Sequence, residues 1–185
     1  MKGLIVYFSL EGNTEYIADE LSKALSADKL RLVPKKTLHT SGFGKFFWNG
    51  KSAVMAEKPD LESYDVDLSV YDQIIFGFPV WAGTFTPPLR TFISENKDGL
   101  KKKSIAAFAC QSGAGAEKAF SKLQECLGID GFVETAIFID PKSKPSEENA
   151  LKLSVFGKNL VMGIKRKMEK TYRCLITSKY LHRAV

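Results

Sequence analysis

Short apolar segments alternate along the chain with segments whose apolar residues recur at helical spacing. The first apolar run, residues 2–8, is nearly continuous and rich in strand-forming residues, which is typical of a strand buried on both faces of a parallel sheet. In the next segment Ile17, Leu21, Ala24 and Leu25 recur at the spacing of one helix face. This stretch therefore predicts a strand, a short loop and a helix.

Four further segments have the apolar character of short strands. They are residues 29–33, 73–78, 103–109 and 132–139. Pro34 ends the first of these four, and a proline at that point favours a strand close to the edge of a sheet.

Helical segments separate the predicted strands. Residues 41–56 predict a helix with an aromatic cluster, which we interpret as packing residues, with a lid over a ligand as the alternative. The double proline at 87–88 favours the start of the next helix, and residues 116–127 predict another. Ser146 is suited to cap the helix that follows the last strand, and residues 60–67 predict a surface loop.

Alternating strands and helices predict an α/β fold of three layers, with helices on both faces of a five-stranded parallel sheet. Ligands of such sheets bind outside the carboxyl ends of the strands, where the strand order reverses. The strand order expected here, 2-1-3-4-5, is one of the common orders of such sheets, and it is the one that the family resemblance described below implies. In this order the first, third and fourth strands are neighbours. The loops that follow these three strands are therefore expected to form one pocket.

The loop after the first strand has the chemistry of a phosphate site. It precedes a helix, whose first N–H groups have no intrahelical partner. Ser9, Asn13 and Thr14 add side-chain donors, and Gly12 allows a close approach of the backbone. Glu11 is expected to point outward. The alternative is an ordinary capped helix after a strand.

The other two loops suit a flat ring. Residues 79–84 contain Trp81, which in the absence of a ring ligand is a partly buried packing residue. Residues 110–115 are small and rich in glycine, so that a ring can lie against the main chain. Cys110 is interpreted as a small buried residue rather than a redox thiol.

Composition limits the class of protein. The 185 residues, with 44% hydrophobic and 26% charged residues, suit one ordinary globular domain. The three widely spaced cysteines and two histidines indicate no metal site and fit a reducing compartment. The chain has no apolar run of membrane-spanning length and opens without the features of a signal peptide, so we expect a cytoplasmic protein.

The net charge of +6 raises the question of nucleic acids. The basic groups at 101–103 and 165–167 accompany no nucleic-acid-binding motif, so no such partner is expected. We predict a domain over residues 1–160 and a basic amphipathic C-terminal extension over 161–185, helical and packed on the domain. Docking of this extension on a membrane surface is the less favoured alternative.

The three loops together resemble the flavodoxin family. Ser9-x-x-Gly12-Asn13-Thr14-Glu15 resembles its FMN phosphate loop, and the 77–84 and 110–115 segments resemble its loops beside the flavin ring and ribityl chain. The similarity covers roughly residues 2–160 and implies a flavodoxin-like fold, non-covalently bound FMN and redox activity. The cofactor-binding residues that it implies are Ser9, Leu10, Glu11, Gly12, Asn13, Thr14, Pro79, Val80, Trp81, Ala82, Gly83, Thr84, Cys110, Gln111, Ser112, Gly113, Ala114 and Gly115.

The resemblance implies a protein that carries electrons between a reductant and a partner protein or small acceptor. Two departures favour the alternative of an NAD(P)H-dependent FMN or quinone oxidoreductase. The third loop has no aromatic residue, and the chain is basic, which would favour the two-electron-reduced anion. A second alternative is a signalling or binding module without flavin. It would require clustered aspartates where the chain has Phe8 and Ser9.

Overall fold

The computed structural model describes residues 2–35 and 55–163, and its centre is a five-stranded parallel sheet of order β2-β1-β3-β4-β5. All four pairs of neighbouring strands are parallel. The strands are β1 (Gly3–Tyr7), β2 (Asp28–Arg31), β3 (Gln73–Pro79), β4 (Ser104–Gln111) and β5 (Thr135–Ile139). The predicted fold class and strand order are confirmed.

Helices connect the strands. They are α1 (Asn13–Leu25), α2 (Pro87–Glu95), the short α3 (Lys97–Leu100), α4 (Ala116–Leu127) and α5 (residues 147–163), with a single 3-10 turn at Leu68–Val70. Proline stands at the first positions of α2, as predicted, since its missing N–H costs nothing there. The Ser146 hydroxyl accepts the N–H of Asn149 at 3.1 Å and caps α5, also as predicted.

The hydrophobic core has two layers, one on each face of the sheet. Alternate side chains of β1 enter opposite layers, with Leu4 and Val6 in one and Ile5 in the other. The layer around Ile5 is covered by α1 and α5, and the opposite layer by α2 and α4. The central strands are thus buried on both faces, which explains their continuous apolar sequence.

Several predicted boundaries differ from the structure. β4 extends two residues further than predicted, and β5 begins at Thr135 instead of at residue 132. In α1 the buried face contains Ala18, whereas Ala24 is exposed. The predicted 41–56 helix lies outside the described residues except for its last two, which form a turn.

The C-terminal extension is described only to residue 163, so its packing stays a prediction. Within residues 2–35 and 55–163, no helix has the length and apolar character needed to cross a bilayer.

Candidate functional site

A cavity of about 350 Å³ opens at the carboxyl edge of β1, β3 and β4. It is lined by the three loops that the strand order predicted to meet. The lining residues are Ser9, Leu10, Glu11, Asn13, Thr14, Pro79, Val80, Trp81, Ala82, Cys110, Gln111, Ser112 and Asp140. The convergence of the loops is therefore a property of the fold.

Six of the eighteen residues predicted to bind a cofactor are not among those that line the cavity. They are Gly12, Gly83, Thr84, Gly113, Ala114 and Gly115. Gly83 and Gly115 instead bring two loops together, because a Cβ on Gly115 would lie 3.1 Å from the Cα of Gly83. A contact of these six residues with a ligand stays a prediction.

Ser9 organises the first loop from inside. Its Oγ accepts the N–H groups of Gly12 at 3.1 Å and Glu15 at 3.2 Å, and the residue is only 5% exposed. The side chain therefore stabilises the turn into α1, which was the alternative interpretation of the loop. A hydroxyl that accepts two hydrogen bonds still has its own proton to donate.

Thr14 has a buried hydroxyl without a partner. The residue is 1% exposed and lines the cavity, and its Oγ1 forms no hydrogen bond within the described residues. An unpaired buried hydroxyl costs about 1–3 kcal/mol. The N–H groups of Asn13 and Thr14, at the first two positions of α1, have no intrahelical partners either, whereas that of Glu15 is bonded to Ser9. This part of the cavity therefore offers donors to an anion.

Asn13 connects the first loop to the loop after β5. Its Oδ1 accepts the backbone N–H of Lys142 at 2.9 Å and that of Ser143 at 3.3 Å. The Ser143 hydroxyl lies 3.4 Å from the same oxygen. The amide oxygen of Asn13 thus holds a neighbouring segment, and only its NH₂ group is left for a ligand.

The second loop presents Trp81 at the cavity through a tight turn. Trp81 and Thr84 exchange both backbone hydrogen bonds at 3.0 Å, and Ala82 and Gly83 between them have φ values of 49° and 66°. Two positive φ values in a two-residue loop are typical of a type I′ turn. The Trp81 ring packs edge-on against Phe8, with centroids 5.5 Å apart, so Phe8 supports the ring from one side.

The third loop is shaped by Gln111. Its Oε1 accepts the N–H of Ala116 at 3.0 Å and thereby caps α4. Solvent reaches three of the residues that lie between Gln111 and Ala116, namely Ser112, Gly113 and Ala114. The loop therefore adds polar and backbone groups to the rim of the cavity, and no aromatic ring.

Comparison with known families identifies this architecture. The family model described as Flavodoxin matches residues 2–144. The chain belongs to the flavodoxin family. The resemblance found in its three loop motifs is confirmed. No curated protein matches the chain significantly.

Solved structures of low identity share the fold of this flavodoxin-family chain. A flavoprotein of Lactobacillus acidophilus in complex with FMN has a TM-score of 0.65 at 21% identity, over 74% of this chain and 92% of its own. The two-electron reduced flavodoxin of Megasphaera elsdenii has a TM-score of 0.53 at 19% identity, over 85% of this chain and 96% of its own. At identities this low, the structural similarity establishes a common fold and nothing finer.

Asp140 lines the cavity of this flavodoxin-family protein, although the sequence motifs did not predict it as a site residue. It is 6% exposed, and its carboxylate accepts the Ser112 hydroxyl at 2.5 Å and the Lys144 ammonium at 2.9 Å. The Ser112 hydrogen bond, followed by that of Lys144, holds the pKa of Asp140 below its usual value of 3.8. Its position directly after a predicted strand, like the other site loops, was the available signal.

Cys110 is unsuited to redox chemistry at neutral pH. The residue is 3% exposed, and burial raises the pKa of its thiol to about 12, although the nearby Thr14 hydroxyl acts in the opposite direction. The hydroxyl lies near the thiol, but the distance and angle between them do not meet the geometry of a hydrogen bond. The side chain is the small buried residue that the sequence predicted.

Proposed function

We propose that this protein binds FMN non-covalently and carries electrons between a reductant and a partner protein or small acceptor. The observation on which this proposal depends is the buried, unpartnered hydroxyl of Thr14 in a cavity at the start of a helix. Family membership and the FMN complex of the Lactobacillus acidophilus flavoprotein support the same cofactor.

The phosphate end of FMN fits the first loop. The hydroxyl groups of Thr14 and Ser9 can donate their O–H hydrogens to phosphate oxygens. The N–H groups at the first two positions of α1 can donate as well. Hydrogen bonds to a charged group contribute about 1.5–3 kcal/mol each, whereas the helix dipole adds about 0.3–1 kcal/mol. The individual donors should therefore dominate the affinity.

The ring end fits the second and third loops. Trp81 offers an aromatic surface held by Phe8, and the third loop offers backbone and small side chains. Small-molecule pockets range from about 300 to 1,000 Å³, so the cavity of about 350 Å³ falls within the range of volumes that hold small-molecule cofactors. Pro79, Val80, Gln111 and Ser112 would complete the ring contacts.

Bound FMN would supply the redox chemistry itself, since flavins accept and release one or two electrons. The chain's own residues are then required to bind and orient the cofactor and to limit access of water. No side chain has to act as acid or base for electron transfer, so the inert thiol of Cys110 is no obstacle.

The decisive experiment is flavin binding to the purified full chain. The protein as isolated, or the apoprotein after addition of FMN, should show the visible absorption bands of oxidised flavin and bind FMN with a stoichiometry near one. A protein that remains colourless after incubation with FMN and dialysis, and that gives no heat of binding, would contradict the proposal.

A second candidate is an NAD(P)H-dependent FMN or quinone oxidoreductase. The exposed, non-aromatic residues 112–114 favour it, because among the three site loops only the second adds an aromatic side chain. An open ring face gives a nicotinamide or quinone access. If the protein is such an enzyme, NADH or NADPH alone should bleach the flavin under anaerobic conditions, at a rate compatible with enzymatic turnover. Reduction only after addition of a separate reductase supports the carrier.

A further inference from the structure

Lys142 lies directly over the backbone of the first loop. A Cβ built on Gly12 would be 2.7 Å from Lys142 Nζ and 3.2 Å from its Cδ. The ammonium group therefore occupies the space beside Gly12 that a side chain would otherwise fill. Gly12 has a φ of 87°, so both its backbone conformation and this close approach require glycine.

The backbone of Lys142 is fixed in this place by a contact across the chain. The Oδ1 atom of Asn13 accepts the N–H of Lys142 at 2.9 Å, although the two residues are 129 positions apart. At the start of the same loop, the side-chain amide of Asn149 bonds both the N–H and the carbonyl of Ile139, at 3.2 and 2.8 Å. The path from β5 to Lys142 is therefore anchored at both ends.

Among the described residues beside the first loop, Lys142 is a cation whose charge is not used in an ion pair. Asp140 is paired with Lys144, and Glu15 with Arg31 at 2.6 Å. Within the described residues Lys142 forms no ion pair. Its ammonium thus lies beside Gly12 of the first loop, and Asp140 of the same segment lines the cavity.

We propose that Lys142 is a phosphate-binding residue, and that residues 140–144 form a fourth segment of the cofactor site. Its ammonium faces the phosphate dianion of FMN and selects the phosphorylated flavin over riboflavin. This assignment rests on the proposed FMN binding. Lys142 is exposed, so water screens the long-range attraction, and its contribution comes from a direct charge-assisted hydrogen bond to the phosphate.

The test compares FMN and riboflavin affinities of three full-length variants by calorimetric titration of the apoprotein. Lys142→Gln removes the charge, and Lys142→Arg retains it. Lys23→Gln is the matched control, because Lys23 lies in the last turn of α1 on the surface, paired with Glu20 at 2.7 Å. Ten residues of helix separate it from Asn13 by about 15 Å, beyond the Debye length of about 8 Å.

The expected result is that Lys142→Gln weakens FMN binding about tenfold, which corresponds to about 1.4 kcal/mol, and leaves riboflavin binding unchanged. Lys142→Arg and Lys23→Gln should stay within about twofold of the wild type. The FMN affinity of the wild type should also fall more steeply with added KCl than that of Lys142→Gln.

Unchanged FMN affinity in Lys142→Gln overturns the assignment, as does an equal loss for FMN and riboflavin, which would indicate a structural role. A loss in Lys142→Arg as large as in Lys142→Gln also overturns it, because charge would then not be the cause. If the wild type binds neither flavin, the proposed function fails, and this assignment fails with it.

Discussion

Ser9 and Thr14 illustrate how a side-chain hydroxyl can either stabilise a loop or remain available to a ligand. Both were predicted from sequence as donors to a phosphate. The Ser9 oxygen accepts two backbone N–H groups and holds the turn into α1, whereas the Thr14 oxygen is buried with no partner. A folded protein tolerates such an orphaned group when a ligand satisfies it, so Thr14 is the more informative residue to change.

Thr14→Val removes this hydroxyl with little change of shape. We expect FMN affinity to fall by about 1.5–3 kcal/mol, the contribution of one hydrogen bond to a charged group. The unfolding free energy of the apoprotein should not fall, since the lost hydroxyl has no partner there. Titration calorimetry and urea unfolding measure the two quantities.

Thr14→Ser is the control for this change, because it retains a hydroxyl and should retain most of the affinity. A valine variant that binds FMN as tightly as the wild type would exclude a phosphate contact of Thr14. A valine variant whose apoprotein is clearly destabilised would indicate that the hydroxyl has a structural partner.

At the level of elements, the site depends on contacts between loops. The loop after β5 connects to the first loop through Asn13, and to the third loop through the hydrogen bond from Ser112 to Asp140. The second and third loops meet at Gly83 and Gly115. Each loop is therefore positioned by another one. A change in the Asp140 segment should alter the positions of the loops that line the cavity.

Asp140→Asn tests this connection through its pH dependence. The folded pKa of Asp140 lies below its unfolded value, so its carboxylate stabilises the fold above the unfolded pKa of about 3.9. This stabilisation is lost as the pH falls through the folded pKa. We expect the variant to be less stable by about 1–2 kcal/mol at pH 7, since Lys144 is largely exposed and its contribution is screened.

The difference between wild type and Asp140→Asn should stay constant from pH 7 to about pH 5 and shrink below about pH 4. Urea unfolding at several pH values measures it. A difference that persists undiminished at pH 3 would show that the carboxylate charge is not its source.

For the whole molecule, the cavity exists only when distant parts of the chain are folded together. β1 pairs with β3 and β3 with β4, so loops at residues 9–14, 79–84 and 110–115 come to one edge. An unfolded chain has no such site. A ligand of the cavity therefore binds the native state alone and stabilises the entire fold.

Saturating FMN should accordingly raise the melting temperature of the apoprotein. At a free concentration of 100 times its dissociation constant, the stabilisation is about 2.7 kcal/mol. For a chain of this size, 1 kcal/mol shifts the midpoint by about 2–4 °C, so we expect a rise of about 5–11 °C in a thermal scan. A midpoint that does not depend on FMN concentration would contradict specific binding to the folded state.

Local patterns of residues were enough to predict the layers and the edge of the sheet at which the site lies, whereas the strand order followed from the family resemblance. Buried strands need continuous apolar residues and covering helices need one apolar face, and both patterns are local. Parallel connections then leave few arrangements of the chain. The motif after β1 was recognisable for the same reason, because its donors and its glycine stand within six consecutive residues.

The folded chain was needed to show which donors remain available for a ligand and which distant residues lie beside the site. Ser9 and Asn13 use their oxygen atoms in internal hydrogen bonds, whereas Thr14 does not. Asp140 lines the cavity and Lys142 lies beside Gly12, and both contact residues far away in sequence. Such contacts depend on how the last loop lies against the first, and no local pattern of side chains encodes that geometry.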